Sequence, residues 1–318
     1  MGKKHFNGPR PRQPEKTPPA AAVTPNLGFF NAARVRTLEW ENAQIVLAGV
    51  GGIGVWVAMH LARLMRVIYE SNKGVNFTLC DPDLVEEKNL GRQWFCDAEV
   101  GHPKALAVAR RLGGAFGLNT MAVCEPFDER FLVGADLTVI VGCVDNAAAR
   151  GSLARVLERN QGGGELPAHW WLDCGNNRDA GRVLLGSAPT NYEMRGAFAG
   201  PKWCVNLPSP ALQFPSLLVP QPEEDGREMS CAEMAAANLQ SLNINAAVAV
   251  QAADMLTRLL VTEDLKRYAC AVNVEAGAVK SYYVTPEQVA HDIGKPVDYV
   301  KGPEPGALPE TRLGALVA

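Results

Sequence analysis

The cysteines of this 318-residue chain are widely scattered, and no CxxC pair is present. The closest two, Cys80 and Cys96, are 16 residues apart. This spacing excludes a zinc ribbon built from neighbouring cysteines and a thioredoxin-type redox motif. Eight scattered cysteines in a chain of this length are typical of reduced, mostly buried thiols, which predicts a cytoplasmic protein without structural zinc.

An excess of charge of one sign is also absent, since 31 lysines and arginines stand against 34 aspartates and glutamates. We therefore expect neither nucleic acid nor an anionic membrane surface as a partner. No apolar run reaches the length of a membrane span, because Asn245, Gln251 and Asp254 interrupt the longest one. The amino terminus carries charges but no apolar segment, so a secretory signal is not predicted.

Short apolar runs alternate with helical patterns through most of the chain. Strands are predicted over residues 44–49, 75–80, 119–124, 136–143, 169–174 and 181–186, and helices over 54–69, 103–116 and 146–159. This order is typical of an α/β fold with a Rossmann-like, mostly parallel sheet flanked by helices. Residues 268–275 and 279–284 predict a C-terminal antiparallel hairpin.

Proline-rich segments divide the chain. Residues 1–26 contain six prolines, five basic residues and one acid, which predicts a disordered arm, either solvated or contacting an acidic partner. Seven prolines over 187–230 predict a long crossover loop, and a long apolar helix, either continuous or broken once, is expected from Cys231 to about Leu260. The chain is again rich in proline and glycine after Thr285. The predicted divisions are an arm over 1–26, one domain over 27–285 and a loose tail over 286–318.

A glycine motif of the form GxGxxG lies between the first predicted strand and the first predicted helix. Its members are Gly49, Gly51, Gly52 and Gly54. Glycines let the backbone turn tightly and approach a phosphate or a ribose, and the start of a helix favours negative charge. Asp81, at the end of the next predicted strand, is placed to accept hydrogen bonds from ribose hydroxyls. These features predict a nucleotide site without separating NAD from ATP.

A second set of motifs begins at Asp81. It consists of Asp81 and Asp83, Asn89-Leu90-Gly91-Arg92-Gln93, Gly101-His102-Pro103-Lys104, and Asp145-Asn146. In this order and spacing, the motifs resemble the signature of the ThiF, MoeB and HesA family, which is related to the ubiquitin-activating enzymes. The resemblance covers roughly residues 40–285. The Pro-rich arm and the SCAEM segment at 230–234 make the chain look most like the ThiF-family member of the plasmid-borne PRTRC gene cluster.

The resemblance implies an enzyme, commonly a homodimer, that uses ATP and Mg²⁺. Its reaction adenylates the C-terminal carboxylate of a ubiquitin-like or sulfur-carrier-like small protein ending in glycine. The glycine motif and the residues Asp81, Asp83, Asn89, Arg92, Gln93, Lys104, Asp145 and Asn146 are implied to bind the nucleotide. Among them, Arg92 and Lys104 are implied to neutralise phosphates, and Asp145 to bind Mg²⁺.

Two of these residues have simpler alternatives. Lys104 follows Pro103 in the first turn of a predicted helix, where a cation opposes the helix dipole at a cost of about 0.3–1 kcal/mol. A bound triphosphate would offset that cost, but a screened surface lysine is the alternative. Asp145 follows the carboxyl end of a predicted strand, where open α/β sheets bind ligands, and magnesium favours such carboxylates. Its alternative is a helix N-cap.

The sequence departs from the family in two places. Many relatives hold a structural zinc with two CxxC pairs, which this chain lacks. Relatives also contribute an arginine to ATP from a helix near the amino terminus, often across the dimer. Arg34 and Arg36 lie in the corresponding region, but the surrounding pattern does not match, so no role is assigned to them.

Cys231 is the cysteine predicted to react. Ser230 and Glu233 fit a capping box, which places Cys231 at the first helical position, where the helix dipole stabilises a thiolate. Glu228 and Glu233 oppose this stabilisation by like-charge repulsion. In relatives, a cysteine in a Cys-x-Glu segment begins the matching helix and in some carries the activated partner as a thioester. The alternative is a small buried residue at a helix start.

Two other functions remain open from the sequence. An NAD-dependent oxidoreductase would explain the glycine motif and Asp81, but it would leave Arg92, Lys104 and Asp145 without roles. A non-catalytic subunit with the adenylation fold, which only docks a partner, would tolerate mutation of its ATP site.

Overall fold

The computed structural model describes residues 27–91, 93–160, 166–198, 200, 202–220 and 243–302. Ten strands lie in these ranges: β1 (Arg34–Val35), β2 (Asn42–Ala48), β3 (Gly74–Cys80), β4 (Thr120–Val123), β5 (Leu137–Gly142), β6 (His169–Asn176), β7 (Ala180–Gly186), β8 (Trp203–Cys204), β9 (Arg267–Asn273) and β10 (Ala278–Tyr283). Eight of them form one sheet in the order β10-β9-β7-β6-β5-β2-β3-β4. Strands β1 and β8 form a separate parallel pair.

Helices connect these strands. The α-helices are α1 (Leu27–Asn31), α2 (Gly52–Glu70), α3 (Lys104–Phe116), α4 (Ala147–Val156), α5 (Pro210–Gln213), α6 (Ile244–Leu260), α7 (Pro286–Asp292) and α8 (Val297–Lys301). Short 3₁₀ turns cover Glu87–Asn89, Asp97–Glu99, Glu129–Phe131, Leu157–Asn160 and Pro215–Leu218. Within the described residues, no helix is both long and apolar enough to cross a membrane.

The predicted fold class is confirmed. Strands β4, β3, β2, β5 and β6 run parallel, whereas β7, β9 and β10 are joined by antiparallel pairing. The hairpin of β9 and β10 is the C-terminal hairpin expected from the sequence. The two central strands, β2 and β5, are buried almost throughout, as parallel strands covered on both faces must be.

Gln44 is a polar side chain within the apolar centre of the sheet. Gln44 of β2 is fully buried, yet its Nε2 donates to the carbonyl of Phe131 at 2.9 Å. Its Oε1 accepts from the Val133 N–H at 2.9 Å. Because both ends of the amide are paired, the buried glutamine ties the segment before β5 to the sheet at little cost.

The tail predicted from Thr285 is wrong for residues 286–302, which form α7 and α8. Thr285 caps α7, since its Oγ1 accepts from the Gln288 N–H at 3.2 Å, and Pro286 occupies the first helical turn. Val300 of α8 is fully buried, and its carbonyl accepts from the Phe198 N–H at 3.0 Å. Composition misled here, because the proline lies where a helix begins. Residues 303–318 lie outside the described residues.

The crossover segment is described only in part. Its residues 187–220 contain β8, α5 and a 3₁₀ turn, and such short elements agree with the number of prolines there. Of the helix expected over residues 231–260, the structure describes α6, which begins at Ile244 after the N-cap residue Asn243 and ends at Leu260. Residues 221–242, which include Cys231, and residues 1–26 lie outside the described residues.

Candidate functional site

The glycine motif forms a tight connection between β2 and α2. Gly49 has φ +86°, and a Cβ there would lie 2.5 Å from the carbonyl oxygen of Cys143. A Cβ at Gly54 would lie 2.0 Å from the carbonyl oxygen of Gly49. Both contacts are with backbone, which cannot move aside like a flexible side chain. The sequence therefore needs glycine at these positions to bring the strand end, the loop and the helix this close together.

The start of α2 has no side-chain cap among the described residues. Gly51 directly precedes the helix. Unpaired N–H groups at the start of a 19-residue helix favour an anion. The Oε1 atom of Gln93 is buried near Gly51 and has no hydrogen-bond partner among the described residues. Sequence analysis predicted both residues as nucleotide contacts.

Asp81 holds the glycine loop from the neighbouring strand. Its Oδ2 accepts from the Val50 N–H at 2.6 Å, and its Oδ1 accepts from the Asp83 N–H at 2.9 Å. Burial raises the pKa of Asp81 above its ordinary value, while the two backbone hydrogen bonds and the charge of Lys104 oppose that rise. The predicted ribose acceptor thus also fixes the loop on which the nucleotide would lie.

Lys104 lies at the same edge of the sheet. Its Nζ is 2.9 Å from Asp83 Oδ2, and the Lys104 side chain is 8% exposed against 62% for Asp83. The Lys104 N–H donates to the Asp83 carbonyl at 2.9 Å. The lysine is therefore not the screened surface residue of the simpler alternative, but a nearly buried cation with one exposed carboxylate beside it.

Asn89 has a structural role in the described chain. It is 3% exposed, and its Oδ1 accepts from the Glu86 N–H at 2.9 Å, which closes the 3₁₀ turn Glu87–Asn89. The Gln93 N–H donates to the Asn89 carbonyl at 2.9 Å, so Asn89 also places Gln93. Arg92, the other cation predicted to neutralise phosphate, lies outside the described residues.

The loop after β5 brings Asp145 and Asn146 to this edge. Asn146 is the N-cap of α4, because its Oδ1 accepts from the Ala149 N–H at 2.8 Å. The simpler alternative for Asp145, in which it caps the helix, is therefore wrong, because the cap is the next residue, Asn146. Asp145 is exposed, and Asn146 Nδ2 lies 3.3 Å from its Oδ1. The carboxylate is therefore in contact with solvent at this edge of the sheet.

The three strand ends meet at one level. The Gly49 N–H donates to the Cys80 carbonyl at 2.8 Å, and the Cys143 N–H donates to the Ala48 carbonyl at 2.7 Å. Since β2 lies between β3 and β5, Asp81 and Asp145 flank the glycine loop from opposite sides. The chain crosses from one side of β2 to the other at this point, which is the switch point at which open α/β sheets bind ligands.

Arg34 and Arg36 lie at the opposite edge of the sheet. Their guanidinium groups lie 5.9 and 6.0 Å from the Trp203 ring centre. Arg36 lines a cavity of about 500 Å³ with Glu41 and Lys73, which directly precede β2 and β3. The length of β2, on the order of 20 Å, separates this cavity from the glycine loop. Within one chain Arg36 therefore lies far from the glycine loop, and the structure gives no reason to assign either arginine a role in the site.

Sequence reasoning missed a buried charged cluster beside the site. Asp173 of β6 is fully buried, and its Oδ1 lies 3.3 Å from the Nε of Arg150 in α4. Burial raises the pKa of Asp173 to about 6, with Arg150 and then Arg182 opposing the rise. The available signals were an acid inside the apolar run of β6 and an arginine four residues after the Asn146 cap.

The described residues hold no group of three or more histidine, cysteine, aspartate or glutamate side chains that could bind a metal ion. The seven cysteines among them are all free thiols. The expected absence of zinc stays a prediction, since Cys231 is outside this part of the chain.

The comparisons with known proteins agree with the motifs. Residues 24–161 match the model of the ThiF family. The resemblance read from the motifs is confirmed over this segment, which includes the glycine loop, Asp81, Lys104 and Asp145. No curated protein matches the chain by sequence.

Two solved structures share the fold beyond the ThiF segment. Escherichia coli MccB with AMPCPP and MccA is 16% identical, with a TM-score of 0.50 over 77% of this chain and 64% of that one. Escherichia coli MccB with succinimide is also 16% identical, with a TM-score of 0.50 over 77% of this chain and 65% of that one. At this identity the likeness shows the fold alone. The chain spans less than two thirds of the length of MccB.

Proposed function

We propose that the protein adenylates the C-terminal carboxylate of a small ubiquitin-like or sulfur-carrier-like protein with ATP. The observation that carries the proposal is the convergence of the glycine loop, Asp81, Lys104 and Asp145 at the carboxyl ends of three adjacent strands. The ThiF match over the same residues supports it. The shared fold of MccB, crystallised with AMPCPP and MccA, is consistent with it.

This edge of the sheet has side chains and backbone groups suited to both the ribose and the phosphates of ATP. The ribose would lie beside Asp81, and the phosphates would lie at the uncapped start of α2. Lys104 and Arg92 supply positive charge, and Asn89 and Gln93 complete the set. The buried, unpaired Oε1 of Gln93 is an acceptor that a ligand donor would satisfy.

Asp145 and Asn146 are the residues that would hold magnesium. The donor set fits, because Mg²⁺ binds through one or two carboxylates together with phosphate oxygens and water. Asp145 offers an exposed carboxylate at the switch point, and Asn146 orients it. When bound, the cation neutralises phosphate charge.

The reaction needs no general base from the protein. The incoming carboxylate is already ionised at neutral pH, and it attacks the α-phosphorus of ATP while pyrophosphate leaves. The residues of the site accelerate this step by holding the two anions together and by offsetting their charge, which are positioning and electrostatic effects.

Several finer features belong to the same proposal. They are an adenylation domain that begins at residue 27 and includes α7 and α8, a partner that ends in glycine, a homodimer, and membership of the PRTRC branch. Transfer of the acyl group to Cys231 is the further step implied by the Cys-x-Glu segment. In that step the thiolate would attack the acyl-adenylate carbonyl, a thioester would form and AMP would leave.

Thermal protection separates this function from an oxidoreductase. A ligand that binds only the folded protein raises the apparent stability by RT ln(1 + [L]/Kd), so a tenfold excess over Kd adds about 1.4 kcal/mol. We expect ATP with Mg²⁺ to raise the melting temperature and NAD to leave it unchanged. Protection by NAD but not by ATP would overturn the proposal.

A further inference from the structure

Arg150 joins three elements beside the proposed magnesium residue. Its Nη2 donates to the Val144 carbonyl at 2.7 Å, and its Nε lies 3.3 Å from Asp173 Oδ1. Its own backbone N–H donates to the Asn146 carbonyl at 3.3 Å. The side chain is 12% exposed and that of Asp173 is 0% exposed. The loop after β5, helix α4 and strand β6 are thus linked through one guanidinium.

The hydrogen bond to Val144 acts directly on Asp145. The Val144 carbonyl and the Asp145 N–H belong to the same rigid peptide plane, so fixing the carbonyl fixes the direction in which the Asp145 main chain leaves it. The side chain is restrained separately, because Asn146 Nδ2 lies 3.3 Å from Asp145 Oδ1 and Asn146 itself is locked as the cap of α4. Both restraints converge on one exposed carboxylate.

Asp173 explains why the guanidinium keeps this orientation. A buried carboxylate fixes a neighbouring arginine in both position and plane, because the planar fork forms directional hydrogen bonds. With Nε directed to Asp173 of β6, Nη2 is left to reach the Val144 carbonyl. Lysine has one charged nitrogen on a flexible stem and would lose this geometry.

We propose that Arg150 is a positioning residue, oriented by Asp173, that holds the Val144–Asp145 peptide and so presents the Asp145 carboxylate to a divalent cation. The inference rests on the proposed function, since it concerns the same cation. Mutations of residues that orient metal ligands commonly weaken metal binding by about 10- to 100-fold. Arg150 is therefore expected to affect magnesium more than the nucleotide.

The test compares thermal stabilisation of the full chain by ATP without metal and by ATP over a magnesium titration. For Arg150→Lys and Arg150→Gln, we expect the Mg²⁺ concentration at half-maximal effect to rise about tenfold, with stabilisation by metal-free ATP unchanged. Arg155→Gln is the matched control, because Arg155 is an exposed arginine of the same helix whose Nη2 bonds to nearby Ser152 Oγ and to no other side chain among the described residues. It should behave as the wild type.

A double variant keeps the test valid if Arg150→Gln alone does not fold. Arg150→Gln leaves the buried Asp173 without its hydrogen-bonded arginine, whereas Arg150→Gln/Asp173→Asn removes both members of the pair and still lacks the hydrogen bond to the Val144 carbonyl. The double variant should show the same rise in the magnesium requirement. A magnesium requirement equal to that of the wild type in the double variant would overturn the inference alone. A wild-type protein that ATP does not stabilise would overturn the proposed function and the inference together.

Discussion

Lys104 and Asp83 form an ion pair across 21 residues of sequence, with 2.9 Å between Nζ and Oδ2. The two partners differ in exposure, since the lysine is nearly buried and the aspartate is mostly in solvent. The pair thus holds a cation at the edge of the sheet while leaving the carboxylate able to turn away when an anionic ligand arrives.

This asymmetry predicts different effects for the two partners. Lys104→Met should weaken ATP binding by about 10- to 100-fold, because a charged hydrogen bond contributes about 1.5–3 kcal/mol. Its effect on stability should be small, since the exposed Asp83 stays solvated. Asp83, which the motif resemblance also implies to bind the nucleotide, is the comparison, and because its exposed carboxylate can turn away from an anion, Asp83→Asn should retain ATP binding within a few fold. Equal losses in calorimetric titrations of both variants would contradict the assignment of Lys104 to phosphate.

Gly54 predicts a steric effect on the loop. Gly54→Ala places a methyl group against the Gly49 carbonyl, so we expect a loss of stability of about 1–3 kcal/mol together with loss of ATP binding. Gly114→Ala is the matched control, because Gly114 is an exposed residue of α3 with open space at its Cβ. That change should stabilise the protein by about 0.5–1 kcal/mol. Urea unfolding measures both, and an undisturbed Gly54→Ala protein would show that the loop is loosely packed.

The raised pKa of Asp173 predicts that its contribution to the stability of the folded protein falls as the pH rises, which is opposite to the usual behaviour of an acid. Its pKa of about 6 in the folded protein lies above the unfolded value, so the folded state binds the extra proton between about pH 4 and 6. The contribution of Asp173 to stability is therefore fully present below pH 4 and is lost as the pH rises through 6.

The measurement is the difference in unfolding free energy between the wild type and Asp173→Asn. Other titrating groups cancel in this difference, which should fall by on the order of 2 kcal/mol between pH 4.5 and 7.5. A difference that stays constant over this range would show that Asp173 keeps an ordinary pKa.

Cys231 tests the step after adenylation. We expect Cys231→Ser to keep ATP–pyrophosphate exchange with the cognate small protein and to lose a thiol-sensitive covalent adduct with it. Cys96→Ser is the control, because Cys96 is an exposed cysteine that is given no role. An adduct that survives in Cys231→Ser, or none in the wild type, would leave adenylate formation as the whole reaction.

The parts of the fold that depend on local pattern were predictable. The buried strands β2 and β5 have continuous apolar runs, and the glycine motif requires its turn whatever surrounds it. The pairing of β1 with β8 was not predictable, because two-residue strands carry almost no pattern and their partners are about 170 residues apart. Pairing of that kind depends on tertiary packing.

The site shows the same division. The motifs placed Asp81, Lys104 and Asp145 at one edge because strand ends can be read from sequence. The sequence could not show that Asn146 rather than Asp145 caps α4, since asparagine and aspartate are both favoured at the N-cap. The contact of Arg150 with Asp173 was equally hidden, because it links a helix and a strand through side chains whose orientation only the packed structure fixes.

The central claim depends most directly on Asp145. It is exposed and does not cap α4, so Asp145→Ala should leave the fold intact and remove the carboxylate that would bind magnesium. Glu70→Ala makes the same change of charge at the far end of α2, a helix of 19 residues, and is the matched control.

The decisive measurement is ATP–pyrophosphate exchange with candidate small proteins that end in Gly-Gly. We predict exchange in the wild type and in Glu70→Ala that depends on the small protein, and a loss of at least about 100-fold in Asp145→Ala, as when one electrostatic contact to the transition state is removed. Exchange at the wild-type rate in a folded Asp145→Ala protein would contradict the account.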